Sequence, residues 1–354
     1  MNNKIKINLI FPYKWSRSYS MFTYWNNIKN EYIKKWYAVN VISCKKIDLF
    51  NVRLSDVFTR YVYYPLFLFF VCLKEKGVFH IIDHSYAYLW MSIIYKETLI
   101  VTCHDLMPLK FPKNVWKIAH MLFYLNIKCL GLFWHIITDS ESTRKDLIWI
   151  LKINASKITM IPLAYDRSVF FAKNHETKGK KFTILLIWSN FYKNIMFALK
   201  WISIFKNKYS NTNFRILKIQ EFTVEERSFI ENSLSGIEVV EKIWMTNEEV
   251  WNVFRESDLL IFPSLYEWFW LPILEAFASW MNVITTKRWS LEEVWWDACK
   301  YVWWEDVNEL WDAIWKIYTN EDNTNWYYIE KWTQQASKFD WSKTADLTLK
   351  IYFA

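Results

Sequence analysis

The chain is 354 residues long and 53% hydrophobic, which supports full cores in two domains of ordinary size. Its formal net charge of +8 indicates anionic partners, namely nucleotide phosphates or an acidic membrane surface, and its dispersed Lys and Arg residues argue against nucleic acid. The five Cys are scattered and lack CxxC spacing, which indicates reduced thiols in a cytoplasm and excludes a structural zinc site.

Short β-branched runs alternate with longer amphipathic stretches along the chain, and this alternation predicts a parallel βαβ architecture. In the first half, the predicted strands are Lys4–Phe11, Tyr37–Ser43, Val78–Asp83, Thr98–Asp105, His135–Ser140 and Ile158–Pro162. The run that begins the sequence lacks the apolar core of a signal peptide. Residues 1–165 are expected to form one domain, followed by a linker at 166–181.

An apolar run, Tyr61–Leu73, lies within this first domain. It is shorter than the roughly 20 residues that a helix needs to cross a bilayer, so no transmembrane segment is predicted. The favoured interpretation is a helix that is buried or that faces a ligand cleft. A membrane-docking surface is the alternative.

The alternation restarts in the second half, where the predicted strands are Phe182–Trp188, Asn213–Ile219, Ile237–Ile243, Asp258–Ser264, Asn282–Lys287 and Lys300–Trp304. Residues 182–338 are expected to form a second doubly wound domain. A C-terminal helix within 339–354 is expected to pack back toward the first domain. Two such domains in tandem predict a deep cleft, with ligands bound beyond the carboxyl ends of the strands.

Capping boxes mark three helix starts in the second half. In each box a hydroxyl and a carboxylate three residues later satisfy N–H groups of the first turn. The pairs are Thr223 with Glu226, Thr246 with Glu249, and Ser290 with Glu293. Because these glutamates have a structural role, we exclude them from the active site.

Tryptophan stands where turns and helix ends ordinarily have glycine. The chain has 4 Gly and 24 Trp, whereas glycine ordinarily makes up about 7% of a chain. Trp36, Trp280 and the pair at 295 and 296 follow helices or lie in polar turns, and a residue after a helix often needs the positive φ that only glycine adopts cheaply. We interpret most of these tryptophans as the product of UGA codons, which the source organism reads as glycine. A genuinely Trp-rich protein is the alternative, and Trp341, in a helical context, is expected to be a true Trp.

The segment Phe262–Trp280 joins a buried strand to a helix and has the sequence FPSLYEWFWLPILEAFASW. Pro272 suits the first turn of that helix, because its missing N–H needs no partner there. Glu267 and Glu275 lie before the helix and within it. The N–H groups at the amino end of a helix form a ready site for an anion such as phosphate.

With glycine at the suspect positions, this segment resembles the E-x7-E signature of the retaining glycosyltransferases of family 4, which have the GT-B fold. Further motifs occur in the family's order, namely Ile10-Phe-Pro-Tyr-Lys-Trp, VTCHDLMPL at 101–109, IITDSESTRKDL at 136–147, IPLAYD at 161–166 and Lys193-Asn194. The resemblance covers nearly the whole chain. It implies an α/β fold of two Rossmann-like doubly wound domains facing a deep cleft, with 1–165 on the acceptor side and 182–338 binding the nucleotide sugar.

The resemblance also implies roles in a donor site. Glu275 would accept hydrogen bonds from the ribose hydroxyls, and Glu267 would lie near the donor sugar. Backbone N–H groups would hold the diphosphate or the sugar at Trp268, Phe269, Trp270 and Leu271. Trp268 and Trp270 stand where such a turn ordinarily has glycine. For both glutamates, helix capping and dipole compensation is the structural alternative.

Lys193 would supply positive charge to the leaving diphosphate, with Ser189 and Asn190 beside it in the donor site. Two positions that are often Arg in the family are Tyr192 and Ser189 in this chain. Lys193 must therefore supply more of the charge stabilisation by itself, or another residue takes the place of the missing arginines.

His104 follows an apolar strand, so its side chain is expected to emerge at the cleft, where the resemblance implies contact with the transferred sugar. Asp105 is expected to orient the turn through an Asx hydrogen bond. Ser140 and Arg144 lie at the next strand-to-helix junction, where relatives contact the acceptor or the donor.

The resemblance implies a bacterial, cytoplasmic, retaining glycosyltransferase that moves a hexose of the mannose or glucose type from a GDP- or UDP-linked donor. The acceptor would be a glycan or a lipid-linked molecule in cell-surface polysaccharide biosynthesis, and peripheral contact with the anionic inner face of the membrane is expected. No cofactor or catalytic metal is implied, and no DxD motif follows a strand. Two alternatives stay open: another sugar-nucleotide enzyme such as an epimerase, against which the E-x7-E spacing argues, and a non-catalytic binding or scaffold protein.

Overall fold

The computed structural model describes residues 6–13, 19–49, 51–96, 98–114, 116–171, 181–267, 269–286, 299–302, 307–320 and 324–354. The chain folds into two compact units. Unit 1 comprises Met1–Ala164 and Asp340–Ala354, and unit 2 comprises Tyr165–Phe339. Most of the predicted linker, Trp268 and the capping box at Ser290 and Glu293 lie outside the described residues.

Unit 1 is built on six parallel strands, β1 (Ile7–Ile10), β2 (Val39–Ile42), β3 (Val78–Ile81), β4 (Leu99–Cys103), β5 (His135–Thr138) and β6 (Ile158–Met160). Their order in the sheet is β2-β1-β3-β4-β5-β6. Strands β1, β3 and β4 are buried along their whole length, as strands covered on both faces of a sheet must be. Each strand falls within a predicted one.

The helices of unit 1 are α1 (Tyr19–Lys34), α2 (Val52–Phe58), α3 (Tyr64–Lys74), α4 (Trp90–Ile93), α5 (Met107–Lys110), α6 (Lys117–Lys128), α7 (Glu141–Leu151) and the terminal helix (Trp341–Tyr352). A π-helical turn, Thr59–Tyr63, joins α2 to α3, and 3-10 turns lie at His84–Leu89, Pro112–Asn114, Cys129–Leu132 and Ala155–Lys157. Leu68, Ile127 and Leu147 share one hydrophobic cluster with the sheet, so α3, α6 and α7 cover the same sheet face. Right-handed crossovers between successive parallel strands produce this arrangement.

The opposite face of the sheet holds α1 and the terminal helix, which pack together. His80 and Thr102 alternate along β3 and β4 with residues of the hydrophobic cluster, so they point to this other face. There the His80 ring bonds the Tyr352 hydroxyl (2.6 Å) and Thr102 (2.7 Å), and Thr102 also bonds the Tyr24 hydroxyl (3.0 Å). This buried polar network therefore joins the terminal helix to the sheet of unit 1.

Unit 2 contains six parallel strands, β7 (Phe182–Ile187), β8 (Phe214–Ile219), β9 (Glu238–Lys242), β10 (Leu259–Phe262), β11 (Asn282–Thr286) and β12 (Lys300–Val302). Their order is β12-β11-β10-β7-β8-β9, so the order reverses between β7 and β10. The helices are α8 (Ile195–Lys208), α9 (Val224–Ser233), α10 (Asn247–Glu256), α11 (Leu271–Ala278), α12 (Val307–Thr319) and α13 (Thr324–Ala336), with a 3-10 turn at Phe191–Lys193. The predicted capping boxes of α9 and α10 are confirmed, with both reciprocal hydrogen bonds present.

The helix that contains the apolar run Tyr61–Leu73 is longer than that run and is not buried as expected. Helical structure is continuous from Val52 to Lys74, and its segment Leu54–Lys74, 21 residues long, is long and apolar enough to cross a membrane by length and composition. Core helices of soluble proteins pass the same test, but this helix is largely exposed, with only 22% of its most apolar window buried. One stripe, formed by Tyr64, Leu68 and Cys72, faces the core.

Four tryptophans adopt left-handed backbone, namely Trp36 (φ 64°), Trp188 (φ 59°), Trp244 (φ 55°) and Trp280 (φ 57°). Trp36 is the C′ residue of a Schellman motif: its N–H donates to the Ile33 carbonyl (2.9 Å), and the Tyr37 N–H donates to the Tyr32 carbonyl (3.0 Å). The same motif ends α11 at Trp280. An L side chain in this conformation costs roughly 1–2 kcal/mol, which is why glycine is usual there. Trp270 differs, since its φ is −95° and requires no glycine.

Trp36→Gly should raise the free energy of unfolding by about 1 kcal/mol, because the left-handed strain is relieved. Little packing is lost, since Trp36 is 81% exposed. Trp149→Gly is the matched control: Trp149 is 72% exposed and lies inside α7 of the same unit, where glycine should lower stability by about 1 kcal/mol. Urea unfolding of the three proteins measures both changes, and effects of the same sign would contradict this assignment.

Candidate active site

The loops that follow β7 and β10 meet at the carboxyl edge of the unit 2 sheet, where the strand order reverses. Ligands of doubly wound sheets bind at such a reversal. The Leu265 N–H donates to the Tyr192 carbonyl (2.6 Å), and Lys193 Nζ donates to Glu267 Oε1 (2.5 Å). Two predicted site residues that are far apart in sequence, Lys193 and Glu267, thus form one ion pair.

This ion pair is buried, with the Lys193 side chain 5% exposed and that of Glu267 3% exposed. Burial lowers the pKa of Lys193, while the charge and hydrogen bond of Glu267 oppose that change. The Lys193 ammonium also lies 4.5 Å from the ring centre of Trp188 and 4.9 Å from that of Phe262. An anionic ligand entering here would compete with Glu267 for this cation.

The other residues predicted beside Lys193 are engaged with neighbouring loops. Ser189 Oγ donates to the Glu221 carbonyl (3.0 Å) and lies 3.1 Å from Glu226 Oε2. Asn190 is exposed, and its Nδ2 donates to the Tyr192 hydroxyl (2.9 Å). Glu226 therefore holds the loop after β7 in addition to capping α9.

Lys218 is a second buried cation of unit 2, which the sequence analysis missed. It lies in β8, and its Nζ donates to the Ile219 carbonyl (3.0 Å). Burial lowers the pKa of Lys218 to about 8, against the opposing charges of Glu226 and Glu241. A lysine inside the apolar run ILKI was the signal that could have revealed it.

Helix α11 begins without a side-chain cap, because Trp270 occupies its N-cap position. Pro272 lies in the first turn, as predicted. Helices α9 and α10, in contrast, have closed capping boxes. In α11, Pro272 has no N–H and the Ile273 N–H donates to the Trp270 carbonyl (3.0 Å), so the helix dipole is what suits this amino end to an anion.

The residues around this helix start are buried. Phe269, Trp270 and Leu271 are all buried, and the Trp270 indole packs on the Phe262 ring with centroids 5.7 Å apart. Glu275 lies within α11 and is also buried. The structure therefore places Glu275 in the helix that follows the loop containing Glu267. The Trp270 indole fills part of the space at the amino end of this helix.

In unit 1, His104 and Asp139 follow two neighbouring strands. The register pairs Cys103 with Thr138, so the next residue of each strand emerges at the same edge. His104 Nδ1 and Asp139 Oδ2 are 2.5 Å apart, and His104 Nε2 donates to the Ile82 carbonyl (2.9 Å). The expectation that the His104 ring emerges from the fold is wrong, because the residue is 2% exposed and both ring nitrogens are engaged.

Asp139 is the residue that sequence reasoning missed in unit 1, although the register of adjacent parallel strands could have revealed it. Burial alone would lower the pKa of His104, but the charge and hydrogen bond of Asp139 outweigh it and raise the pKa to about 9. Burial raises the pKa of Asp139, against the opposing effect of His104. Whichever atom carries the shared proton, the pair keeps it up to about pH 9.

Stability should depend on pH through this pair. The unfolded histidine releases its proton near pH 6.5, whereas the native pair holds it to about pH 9, so the stabilisation is complete below pH 6.5 and is lost as pH rises toward 9. The total loss should be about 3 kcal/mol. Lys218 has the opposite effect above pH 8, since its native form loses a proton first. Burial lowers the pKa of His80, His84 and His135, and these residues raise stability as pH passes 6.5, so the test compares two proteins. The difference in unfolding free energy between the wild type and His104→Gln should shrink between pH 6.5 and 8, as measured by urea unfolding. A constant difference would contradict the shared proton.

The neighbouring polar residues have structural roles. Asp105 Oδ1 accepts a hydrogen bond from the Met107 N–H (2.8 Å), which confirms the predicted Asx turn. Ser140 caps α7, and Arg144 pairs with Glu141 (2.7 Å). Within the part of the chain that the structure describes, no group of three His, Cys, Asp or Glu side chains is arranged to hold a metal ion.

Comparison with known proteins relates this geometry to a family. Residues 166–334 match the family model described as glycosyl transferases group 1. O-antigen chain mannosyltransferase RfbU of Salmonella typhimurium is 23% identical over 207 residues, which cover 57% of this chain and 56% of RfbU. The chain thus spans little more than half the length of this curated relative.

Solved structures resemble the chain over almost its entire length. Sucrose-phosphate synthase from Thermosynechococcus elongatus has a TM-score of 0.80 at 14% identity, covering 99% of this chain and 98% of that one. HepE of Anabaena, in complex with UDP and glucose, has a TM-score of 0.72 at 12% identity, covering 98% of each chain. The predicted fold class, an α/β GT-B fold with two doubly wound domains, is confirmed.

The segment that matches the family model lies within unit 2. It contains the Lys193–Glu267 pair, the amino end of α11 and Glu275. Residues 166–334 are thus similar to the glycosyl transferases group 1 family, and this similarity supports the prediction of a transferase.

Proposed function

We propose that this chain is a retaining glycosyltransferase of family 4, which moves a hexose from a nucleoside diphosphate sugar to a glycan or a lipid-linked acceptor. The observation that carries the proposal is the buried Lys193–Glu267 pair at the strand-order reversal of the transferase domain. The likeness to an O-antigen chain mannosyltransferase supports a mannose-type sugar and a role in a bacterial cell-surface polysaccharide. The likeness to HepE bound to UDP supports a nucleotide-sugar donor, linked to UDP or GDP.

In this proposal, each donor-site group has one task. The Glu275 carboxylate accepts hydrogen bonds from the ribose hydroxyls. Lys193 and the positive end of the α11 dipole stabilise the negative charge that grows on the leaving diphosphate. Glu267 lies near the donor sugar and holds Lys193 in place until the phosphate arrives. Neither glutamate serves as a covalent nucleophile.

His104 keeps its proposed role as a contact of the transferred sugar. Its Nε2 bonds the Ile82 carbonyl in this structure, so the ring must release that carbonyl before it can reach a sugar. Asp139 then keeps the ring in place through Nδ1. We propose a cytoplasmic location and no cofactor beyond the donor itself.

We also propose that Trp36, Trp188, Trp244, Trp268, Trp270 and Trp280 are encoded by UGA and read as glycine in the source organism. The left-handed backbone of four of them supports this proposal. Codons of UGG at these positions would contradict it. Trp188 bears directly on the site, because its ring lies against the Lys193 ammonium.

The test compares two versions of the whole chain, one with Trp and one with Gly at these six positions. Each is incubated with UDP- and GDP-linked sugars, and release of UDP or GDP is measured with and without a lipid-linked acceptor. The Gly version should release nucleotide with at least one donor. Failure of both versions to bind or turn over any donor would overturn the proposal.

The alternative of a non-catalytic binding protein rests on one observation. The Trp188 and Phe262 rings enclose the Lys193 ammonium, and the Trp270 indole is buried beside the start of α11. If Trp188 and Trp270 are truly Trp, their indole rings occupy space that a diphosphate needs. Donor binding by the Gly version alone would assign the activity to the Gly form.

A further inference from the structure

The buried polar network between the sheet of unit 1 and the terminal helix is a continuous line of hydrogen bonds. It begins at Tyr32 in α1, whose hydroxyl donates to the Tyr352 hydroxyl (3.1 Å). Tyr352 bonds His80 Nδ1 (2.6 Å), and His80 Nε2 bonds Thr102 Oγ1 (2.7 Å). Thr102 Oγ1 and the Tyr24 hydroxyl, 3.0 Å apart, complete the line. All five residues are buried, so these hydrogen bonds lie in a low-dielectric interior, where they polarise one another.

The donors of this network point in one direction. Burial lowers the pKa of His80 to about 3, so its ring is neutral and has one donor nitrogen and one acceptor nitrogen. Because the Tyr352 oxygen accepts the Tyr32 proton, its own proton serves His80 Nδ1. Nε2 is then the donor to Thr102, and the Thr102 hydroxyl proton is left for the Tyr24 oxygen. The terminal helix therefore selects the tautomer of His80.

Tyr24, at the other end of the network, lies against the His104–Asp139 pair. Its ring packs on the His104 ring in an edge-to-face arrangement, with centroids 5.2 Å apart and an angle of 79° between the planes. Burial and, next, the negative charge of Asp139 raise the pKa of Tyr24, so its hydroxyl lies within the field of that carboxylate. The ring of Trp341, the first residue of the terminal helix, lies 6.2 Å from the Tyr24 ring. Tyr24 thus links both the network and the terminal helix to His104.

The polarity of the network is not needed to cover the strands. On the opposite sheet face, β3 and β4 contribute four side chains to the hydrophobic cluster, namely Phe79, Ile81, Val101 and Cys103. A buried polar network is costly unless its members are satisfied, and once satisfied it makes the arrangement of its side chains rigid and unique. A network that ends on a candidate site residue is therefore suited to orienting that residue.

We propose that Tyr24 is a positioning residue for His104, held in place by the buried polar network that the terminal helix completes. This inference rests on the proposed contact of His104 with the transferred sugar. When the His104 ring releases the Ile82 carbonyl to reach that sugar, Asp139 holds Nδ1 and the Tyr24 ring confines the imidazole. A misplacement of about 1 Å can lower a rate about 100-fold, so Tyr24 affects turnover without touching the sugar. No member of the network is Trp, so the inference does not depend on how the Trp codons are read.

Nitrogen NMR of the whole chain labelled with 15N-histidine tests the contact of Tyr24 without any sugar nucleotide. The His104 signals, identified by their loss in His104→Gln, should titrate near pH 9 in the wild type. In Tyr24→Leu the pKa of His104 should fall toward 6.5, because the imidazole is no longer held against its carboxylate partner. Tyr24→Phe keeps the ring and should keep the pKa near 9. Other groups that act electrostatically on the pair are the same in every protein compared, namely Asp83, Asp105 and His84.

Tyr352→Phe tests the network from its far end, because it removes the hydroxyl and keeps the ring. Its His104 ring-nitrogen signals should shift relative to the wild type. In the Gly version, kcat should fall about tenfold with an unchanged KM for the donor, since the donor still binds while His104 is misplaced. Tyr64→Phe is the matched control: Tyr64 is a buried tyrosine of the opposite sheet face, and its hydroxyl donates to the Phe11 and Ile42 carbonyls. This control should match the wild type in both measurements.

Two results would overturn the positioning role whether or not nucleotide is released. One is an equal pKa of His104 in the wild type and Tyr24→Leu. The other is the same His104 signals in Tyr352→Phe and Tyr64→Phe, and this comparison decides even if Tyr24→Leu does not fold. If the expected NMR differences are present but no donor is turned over by any version, the positioning of His104 stands and the proposed function fails.

Discussion

Lys193→Met is expected to lower the free energy of unfolding by about 3–5 kcal/mol and to abolish nucleotide release from a sugar donor. The stability loss follows because the buried Glu267 carboxylate is left without its partner. The loss of turnover follows because the proposed stabilisation of the leaving diphosphate by the Lys193 charge is removed. Urea unfolding and the nucleotide-release assay measure the two effects on the same protein.

An exposed ion pair of the same unit is the control that separates the effect of burial from the effect of charge. Lys181 and Glu238 form an exposed pair in the same unit, with 45% and 42% of their side chains exposed. Lys181→Met should change stability by less than about 1 kcal/mol. The double variant Lys193→Met, Glu267→Gln should recover most of the lost stability but no turnover. Full turnover by Lys193→Met would remove Lys193 from the proposed mechanism.

Glu275→Gln is expected to weaken donor binding about 10- to 100-fold with little change in stability. Hydrogen bonds to a charged group contribute about 1.5–3 kcal/mol, and the amide keeps the shape of the carboxylate but not its charge. Calorimetric titration of the Gly version with UDP and GDP measures the affinity for the nucleotide part alone. The effect should therefore be present without any sugar or acceptor.

Glu249→Gln is the control for this experiment. Glu249 is a carboxylate of the same unit, and its side chain accepts the Thr246 N–H (2.6 Å) in the capping box of α10. Its replacement should lower stability slightly and leave nucleotide affinity unchanged. An unchanged affinity in Glu275→Gln as well would show that this glutamate does not bind the ribose.

The local features of the fold were predictable from sequence. All strands of both sheets fall within predicted runs, because a buried parallel strand appears in the sequence as a short apolar segment. The capping boxes at Thr223 and Thr246, the Asx turn at Asp105 and the position of Pro272 depend on residues within one helical turn of each other. The prediction that Trp36 and Trp280 stand at glycine positions also rests on neighbouring residues alone, since the residue after a helix must often take a positive φ.

Contacts between distant residues were decided by the tertiary structure. The sequence indicated that Lys193 and Glu267 belong to one site, but only the packing of the loops after β7 and β10 shows them as a buried ion pair. Likewise, the register of β4 and β5 brings Asp139 to His104 and holds the ring inside the fold. Apolar composition could not reveal which side of the helix ending at Lys74 is covered, because burial depends on the neighbours that the rest of the chain supplies. The chemistry of each residue is local, whereas its pairing, pKa and exposure depend on the whole fold.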